Sequence, residues 1–522
     1  MVCRQPLLLV VVLLTTSAAA SWTSDASFAT STTAKDATCK QHDHMSVLQL
    51  GTTRASAQQI QTQSNSLAVD EIKTYMPAVA LALLGAATLF LVFTCVVNAA
   101  TVPYTMALAV YMNFQDNFFF TLVLVRSHGL ADHFHANPLI SGWLVGGHKL
   151  GTALGMMSVF LALKVSPEFW RKTSTVYSAA VVLQVISAGA FAACAFLGDA
   201  GLAGMAITRP LMGLGGGFQV SLAFTQVAHL GGQHRALYNL RVFVGGCIGI
   251  GAGPLLSSLA TTYSRPRPFG EEGFEGMLTF VALAPWMQVS LLLLRSIPSL
   301  DHVTVQSSPQ RASRAQALIV CLCLAMLVLR NLALSSLEVG LAQLAQTHYK
   351  FDHLSAGLLC AITVFITLPV QFLYESSERC RFSLGTMLWT GLAASCLLLS
   401  EKFLVFYLGA LLFFPMMVLS SGLVMAKMQE YAMPDGSLLD RNTTTLLGLV
   451  MADLFGRALG PISARLSISA GGQHAFALTQ IMFVSSSLLL HLASGITSHQ
   501  VDEKGSLLES PESTCSMAIE RR

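Results

Sequence analysis

Several stretches of this chain set ionisable side chains inside runs that are otherwise apolar. In NFQDNFFF, Asn113, Gln115, Asp116 and Asn117 sit in mid-run. Asn113, Asp116 and Asn117 stand at i, i+3 and i+4, so a helix stacks them on one face. In GGHKLG, His148 and Lys149 lie deep in a second run, too far from its ends for the ammonium to reach water easily. In TRPLMGLGGGFQV, Arg209 and Pro210 precede Gly213, Gly215, Gly216 and Gly217, and Gln219 and Gln226 follow. Further on come Arg330 beside Asn331, then Glu338, then Asp453 with Arg457 at i+4. A charged side chain at mid-membrane costs about 2.5–3.5 kcal/mol even on the gentlest scale, so each must face a partner or a cavity.

Each of these residues has a binding role and a structural role open to it. Asp116 can hold a proton, a cation or a substrate group, or pair with a basic residue on a neighbouring helix. Lys149 can neutralise Asp116 or bind an anion. His148 carries an imidazole, the side chain that titrates near neutral pH. It points about 100° away from Lys149 on a helix, so the two are expected to serve different surroundings. Arg209 has five donors and keeps its charge, so it requires acceptors from a substrate, main-chain carbonyls or Asp116. Pro210 removes one helical hydrogen bond and frees a carbonyl, while the glycines let another helix approach. Glu338 lies about 80° round the helix from Arg330, a poor angle for pairing. Asp453 and Arg457 are expected to pair on one face. The candidate cavity residues are therefore Asp116, Lys149, Arg209, Arg330, Gln219 and Asn113, and the candidate coupling residues are His148, Glu338 and Asp453. If every anion finds a cation, Lys149 is left over. Cationic donors at the midplane suit carboxylate or phosphate, so the expected solute is anionic or zwitterionic.

The elements that must position these groups are membrane helices. The 522 residues are 53% hydrophobic and 11% charged, with a mean hydropathy of +0.61. Soluble domains carry about 25% charged residues. Apolar runs recur from 76–98 to 473–495, and the pattern predicts thirteen spans, each long enough for a hydrocarbon layer about 30 Å thick. The fold class is thus all-α integral membrane. The net charge of +3 is scattered among loops and implies no nucleic-acid partner. The 11 cysteines form no CxxC pair, so neither a disulfide framework nor a metal site is indicated. No catalytic or nucleotide-binding constellation is present, so neither enzyme activity nor a cofactor is expected.

The order of segments follows from composition. Residues 1–20, with Arg4, an apolar core and Ala18-x-Ala20, read as a signal peptide. The Ser/Thr/Gln-rich stretch 21–75 reads as a disordered lumenal segment, and 76–98 as an extra transmembrane helix. Residues 103–295 form one six-helix half, 296–314 a cytosolic linker, 315–495 a second six-helix half, and 496–522 a disordered cytosolic tail. Basic residues crowd the loops on the side of that tail, from Lys164 to Arg522. The opposite loops hold Arg126, Arg265, Arg267, Lys350, Lys402 and Arg465, and this bias orients the chain.

The two halves echo each other. GIGAGP, with Gly249, Gly253 and Pro254, and GRALGP, with Gly456, Gly460 and Pro461, share the pattern G-x-x-x-G-P. With RPLMGLGGG, which matches R-x-x-x-G-x-G through Arg209, Gly213 and Gly215, these motifs resemble the major facilitator superfamily over about residues 103–495. Within it the chain is similar to the lysosomal and vacuolar branch. The resemblance implies a core of twelve helices in two pseudo-symmetric halves, and an arginine at position 209 that faces a central cavity. The chain departs from the family in the loop ALKVSPEFWRKTS. That loop supplies only Arg171 and Lys172 where the family has a glycine, an aspartate and a basic run, so the resemblance does not carry over the family's cytosolic gate, nor proton coupling with it.

The expected function is secondary transport of a small solute by alternating access, with a proton or ion as the coupling partner and a monomer in the bilayer as the working unit. An anion channel on the same fold, or a receptor or adaptor without transport, are the alternatives. The expected location is an endomembrane of lysosomal or vacuolar type or the plasma membrane, with a plastid or other organelle reached by a two-part targeting sequence as the alternative. The charge bias places the sequon NTT at Asn442 in the cytosol. Glycosidase treatment of the protein expressed in a glycosylating host should therefore leave the Asn442 peptide unshifted, and a glycan there would invert the topology.

Overall fold

Backbone crossing hydrocarbon finds no water to bond, so long apolar runs must close their own amides as helices. The computed structural model describes residues 101–165, 173–195, 199–230, 235–263, 314–376, 382–433 and 439–508, with isolated positions at 197 and between 277 and 285. The signal peptide, the 21–75 segment, span 76–98, most of span 276–295, most of the linker and the chain end beyond 508 lie outside the described residues.

The first half contains α1 (Thr101–Thr121), a short α2 (Ser127–His133), α3 (Pro138–Val165), α4 (Thr173–Cys194), α5 (Asp199–Leu230) and α6 (Arg235–Tyr263). The second contains α7 (Arg314–Thr347), α8 (His353–Phe365), α9 (Thr367–Ser376), α10 (Leu384–Leu397), α11 (Phe403–Glu430), α12 (Arg441–Met451), a π-helical turn (Ala452–Arg457) and α13 (Leu459–Leu508). Among the described residues, seven helices are long and apolar enough to cross a membrane. Leu154, Leu161, Ile186, Ile207 and Leu489 point outward, the surface an acyl-chain solvent favours. This is a multi-pass membrane protein. Helix α13 changes direction at Gly471 and Gly472, where Gly472 has φ +60°, a conformation open to glycine. It then runs on to Leu508, into the stretch expected to be a disordered tail. A helix already nucleated upstream extends cheaply through residues such as Glu503 and Lys504.

The repeated motif has the same packing role in both halves. Gly249 and Gly253 bring α6 against α1, where a side chain at either position would strike Phe114, Phe118 or Thr121. Gly456 and Gly460 bring the π-turn and the start of α13 against α7, against Asn331, Ser335 and Ser336. This match sets the register between the halves. Asn117 in α1 corresponds to Asn331 in α7, and Thr121 to Ser335. The residue types agree at both positions, a correspondence too short to stand out in the sequence.

Prolines decide where carbonyls come free. Pro210 has no N–H for Ala206, one turn back, and the Trp143 indole donates to that carbonyl at 3.0 Å. Pro461 leaves the Arg457 carbonyl without its helical donor, and the Ser335 hydroxyl supplies one at 3.1 Å. The π-turn ahead of it is closed by Ala458 donating to Asp453 at 2.8 Å. Pro369 coincides with the break between α8 and α9 at Ile366.

Trp143→Phe keeps the ring and removes the donor to Ala206. A carbonyl left without a partner costs about 1–3 kcal/mol, so the purified variant should melt several degrees lower. An unchanged melting temperature would show that the Ala206 carbonyl needs no partner.

Candidate functional site

The Asp116 carboxylate lies where α1, α3 and α5 meet, fully buried. Its Oδ2 is ion-paired with Lys149. Its Oδ1 accepts from the Thr152 hydroxyl at 3.0 Å and lies 3.1 Å from His148 Nε2. His148 and Lys149 therefore converge on one carboxylate, contrary to the expectation of separate surroundings. The 100° between them holds, but a carboxylate has two oxygens and lysine a long stem, so both reach it from different sides. Thr152 follows His148 at i+4 and Lys149 at i+3, a same-face spacing that would have pointed to it. Gly216 of α5 faces Asp116 directly, and a Cβ there would lie 3.0 Å from the carboxylate carbon. The glycine run thus serves the site as well as packing: Gly213 and Gly217 lie against α3, and Gly215 against Ala180 and Gln184 of α4.

Lys149 also stands 3.9 Å from Asp453 in the second half and 5.4 Å above the Phe120 ring. Asp453 and Arg457 do not form the expected i,i+4 pair. The π-turn resets the register between them. Arg457 instead donates from Nε to Asn331 Oδ1 at 3.1 Å and from Nη1 to Asn117 Oδ1 at 2.5 Å. One guanidinium therefore joins the repeat-related asparagines of the two halves. Asn117 is held in turn by Asn113, whose own amide donates to the Val242 carbonyl at 2.7 Å.

The other sequence candidates occupy distinct places. Arg209 is fully buried and donates to the carbonyls of Leu144 at 2.8 Å, Phe119 at 3.2 Å and Phe120 at 2.9 Å, with its guanidinium 5.6 Å from the Phe191 ring centre. It ties α5 to α1 and α3. Gln219 donates to Gln184 at 2.9 Å. Arg330, also fully buried, donates through Nη2 to the Met417 carbonyl at 2.6 Å and to Ser420, while its Nε and Nη1 have no hydrogen-bond partner. Glu338 is 5% exposed, and neither carboxyl oxygen has a hydrogen-bond partner. It faces a small cavity between the halves, with Leu124 of the turn after α1, Ile250 and Pro254 of α6, Leu337 and Leu341 of α7, Cys360, Thr363 and Val364 of α8, and Phe414 of α11. Most of this lining was invisible to sequence reasoning, because each helix contributes only a few residues to it. No cluster of metal-ligating side chains occurs among the described residues.

Solved structures share this arrangement of helices. The crystal structure of a D-xylose–proton symporter aligns at a TM-score of 0.56 and 13% identity, over 74% of this chain and 96% of that one. A bacterial homolog of the human lysosomal transporter Spinster, inward-facing and unoccupied, aligns at 0.52 and 13%, over 77% and 96%. The human organic anion transporter MFSD10 (TETRAN) aligns at 0.51 and 16%, over 75% and 99%. The chain has the major facilitator fold. At these identities the likeness is one of architecture, and no protein-family model or curated sequence matches the chain. In this major facilitator fold the buried charges of the first half are engaged by protein partners, and the carboxyl left without a hydrogen bond lies at the boundary with the second.

Lys149→Met would leave Asp116 buried with only His148 and Thr152. Removing one partner of a buried ion pair costs about 3–5 kcal/mol. Melting of the single variants and of Lys149→Met/Asp116→Asn should show a large loss for Lys149→Met and substantial recovery in the double variant. Additive losses would mean that the pair does not act as a unit.

Proposed function

We propose that the chain is a secondary transporter that carries a small solute through the membrane by alternating access. The observation that carries this reading is a cavity between two halves that touch at both ends. Where α6 begins, Arg241 pairs with Glu375 at 3.1 Å and Asn239 donates to Gln429 at 2.7 Å. Where α7 ends, Gln346 donates to the Val125 carbonyl at 3.0 Å and Arg465 to Ser127 at 3.2 Å. Breaking one set while keeping the other is what rocking of two halves requires. The Arg241–Glu375 pair supplies a contact between the halves on the side where the α3–α4 loop lacks the family's full signature. Closure at both ends fits a carrier better than a continuously open pore.

The geometry bears on the charge of the solute. Lys149 and Arg209, two of the cations that suggested an anion, are engaged by Asp116 and by main-chain carbonyls. An anionic solute would depend on Arg330, whereas the cavity itself presents Glu338. A proton or ion is the coupling partner we assign to the Asp116, His148 and Lys149 cluster, because Lys149 is shared between carboxylates of opposite halves. The likeness to a homolog of a lysosomal transporter supports an endomembrane location. The protein is expected to work as a monomer.

Counterflow in proteoliposomes tests the mechanism. Arg241→Glu should slow exchange several-fold without loss of expression, and Arg241→Glu/Glu375→Arg should restore it, since an ion pair of this exposure is worth about 1 kcal/mol or less. Reversed charges with no effect on exchange would remove this contact from the transport cycle. Currents far above carrier turnover would make the protein a channel.

A further inference from the structure

The cavity between the halves has a one-sided chemistry. Its polar groups accept hydrogen bonds. Glu338 offers two carboxyl oxygens that no donor reaches. The Thr363 hydroxyl gives its proton to the Leu359 carbonyl at 2.8 Å, which leaves its lone pairs. Pro254, on the wall, has no N–H for the carbonyl of Ile250, also on the wall. The thiol of Cys360 is the weak exception. Elsewhere the lining is hydrocarbon and the ring of Phe414. The cations nearest in kind are committed elsewhere, Lys149 to Asp116 and Asp453, and Arg457 to Asn117 and Asn331. No cation stands within ion-pair distance of Glu338 among the described residues.

An ionised carboxylate in such surroundings is costly until it meets a positive charge with donors. An anion would meet repulsion there, and a neutral solute would leave the carboxylate unmatched. A bare metal cation needs about six or more oxygen ligands, more than Glu338, Thr363 and the Ile250 carbonyl supply. A protonated amine brings three donors to the acceptors and a positive charge to Glu338, and Phe414 offers an aromatic face for the cation. The free space beside Glu338 is narrow, about that of one water, so it takes the ammonium group itself and the apolar body enters only as the halves part. The repeat register adds a reason for the site's single charge: Leu124, also on the wall, occupies in the first half the position of Glu338 in the second.

We propose that this cavity binds the protonated amine of a small apolar solute, with Glu338 as its counter-ion. The proposal rests on the transporter reading above and names the class of solute. It is tested by binding to the purified full-length protein in nanodiscs, using phenethylamine, 2-phenylethanol and 3-phenylpropionate as probes of nearly equal size. Phenethylamine should raise the melting temperature and bind at least about tenfold more tightly than the other two. Glu338→Gln should lose about tenfold or more of that affinity while eluting and melting like the parent. Glu338→Asp, which keeps the charge, should recover part of it. Equal binding of amine and alcohol, tighter binding of the carboxylate, or amine binding unchanged in Glu338→Gln would each overturn the proposal. So would proton uptake that depends on Glu338 with no amine bound by any measurement. Amine binding through Glu338 without counterflow in liposomes would uphold this site and overturn the transporter reading. Counterflow of other solutes with no amine binding would do the reverse.

Discussion

The ion pair between Asp116 and Lys149 is the interaction on which the first half is organised. A carboxylate buried among three helices is tolerable only with its countercharge and hydrogen bonds in place. That requirement fixes α3, which must present Lys149, His148 and Thr152 together. It also fixes α5, which must offer no side chain at Gly216. The greasy stretch with an arginine and four glycines thereby acquires two connected purposes. The glycines let α5 close onto α3 and onto the carboxylate. Arg209 then fastens the same three helices through the carbonyls of Leu144, Phe119 and Phe120, and its charge is answered by main-chain dipoles.

The second half uses the same scaffold with different chemistry. Its motif of two glycines and a proline packs on α7 as its counterpart packs on α1. Yet Asp116 corresponds in register to Arg330, and Leu124 to Glu338. Proline enforces the difference locally. Pro461 opens a carbonyl that Ser335 covers, and the neighbouring π-turn turns Arg457 toward the boundary between the halves. Symmetry of backbone with asymmetry of charge places the first half's buried groups in mutual contact and leaves Glu338 facing the cavity.

Much of the fold was legible because hydrophobic run length and the two G-x-x-x-G-P motifs each have a direct physical meaning. The residues of the charged cluster were legible too, since a charge in an apolar run is conspicuous. Their partners were not. Which cation meets Asp116 depends on the order of neighbouring helices, and that order is set by long-range packing. Reasoning from helical angles separated His148 from Lys149, because it treats side chains as spokes and ignores the reach of a lysine. The i,i+4 rule paired Asp453 with Arg457, because it presumes a regular helix. Pro461, just downstream, was the available sign that the helix is irregular there. The cavity is assembled from four helices and the turn after α1, with few residues from each, so no period along the chain records it.

Arg457 links two asparagines that occupy the same place in the two repeats. A point that joins equivalent positions lies close to the axis relating the halves, and a point on an axis moves least when bodies turn about it. In the rocking motion proposed above, the guanidinium would act as a fulcrum. Displacements would then grow with distance from it, largest at Arg241 and Glu375 on one side and at Gln346 and Arg465 on the other. A fulcrum between two contacts makes a balance beam, in which separation at one end presses the other together. On that reading the end contacts have reason to be few and individually weak, since each would part in turn, while the middle one joins its two amides through a single planar group.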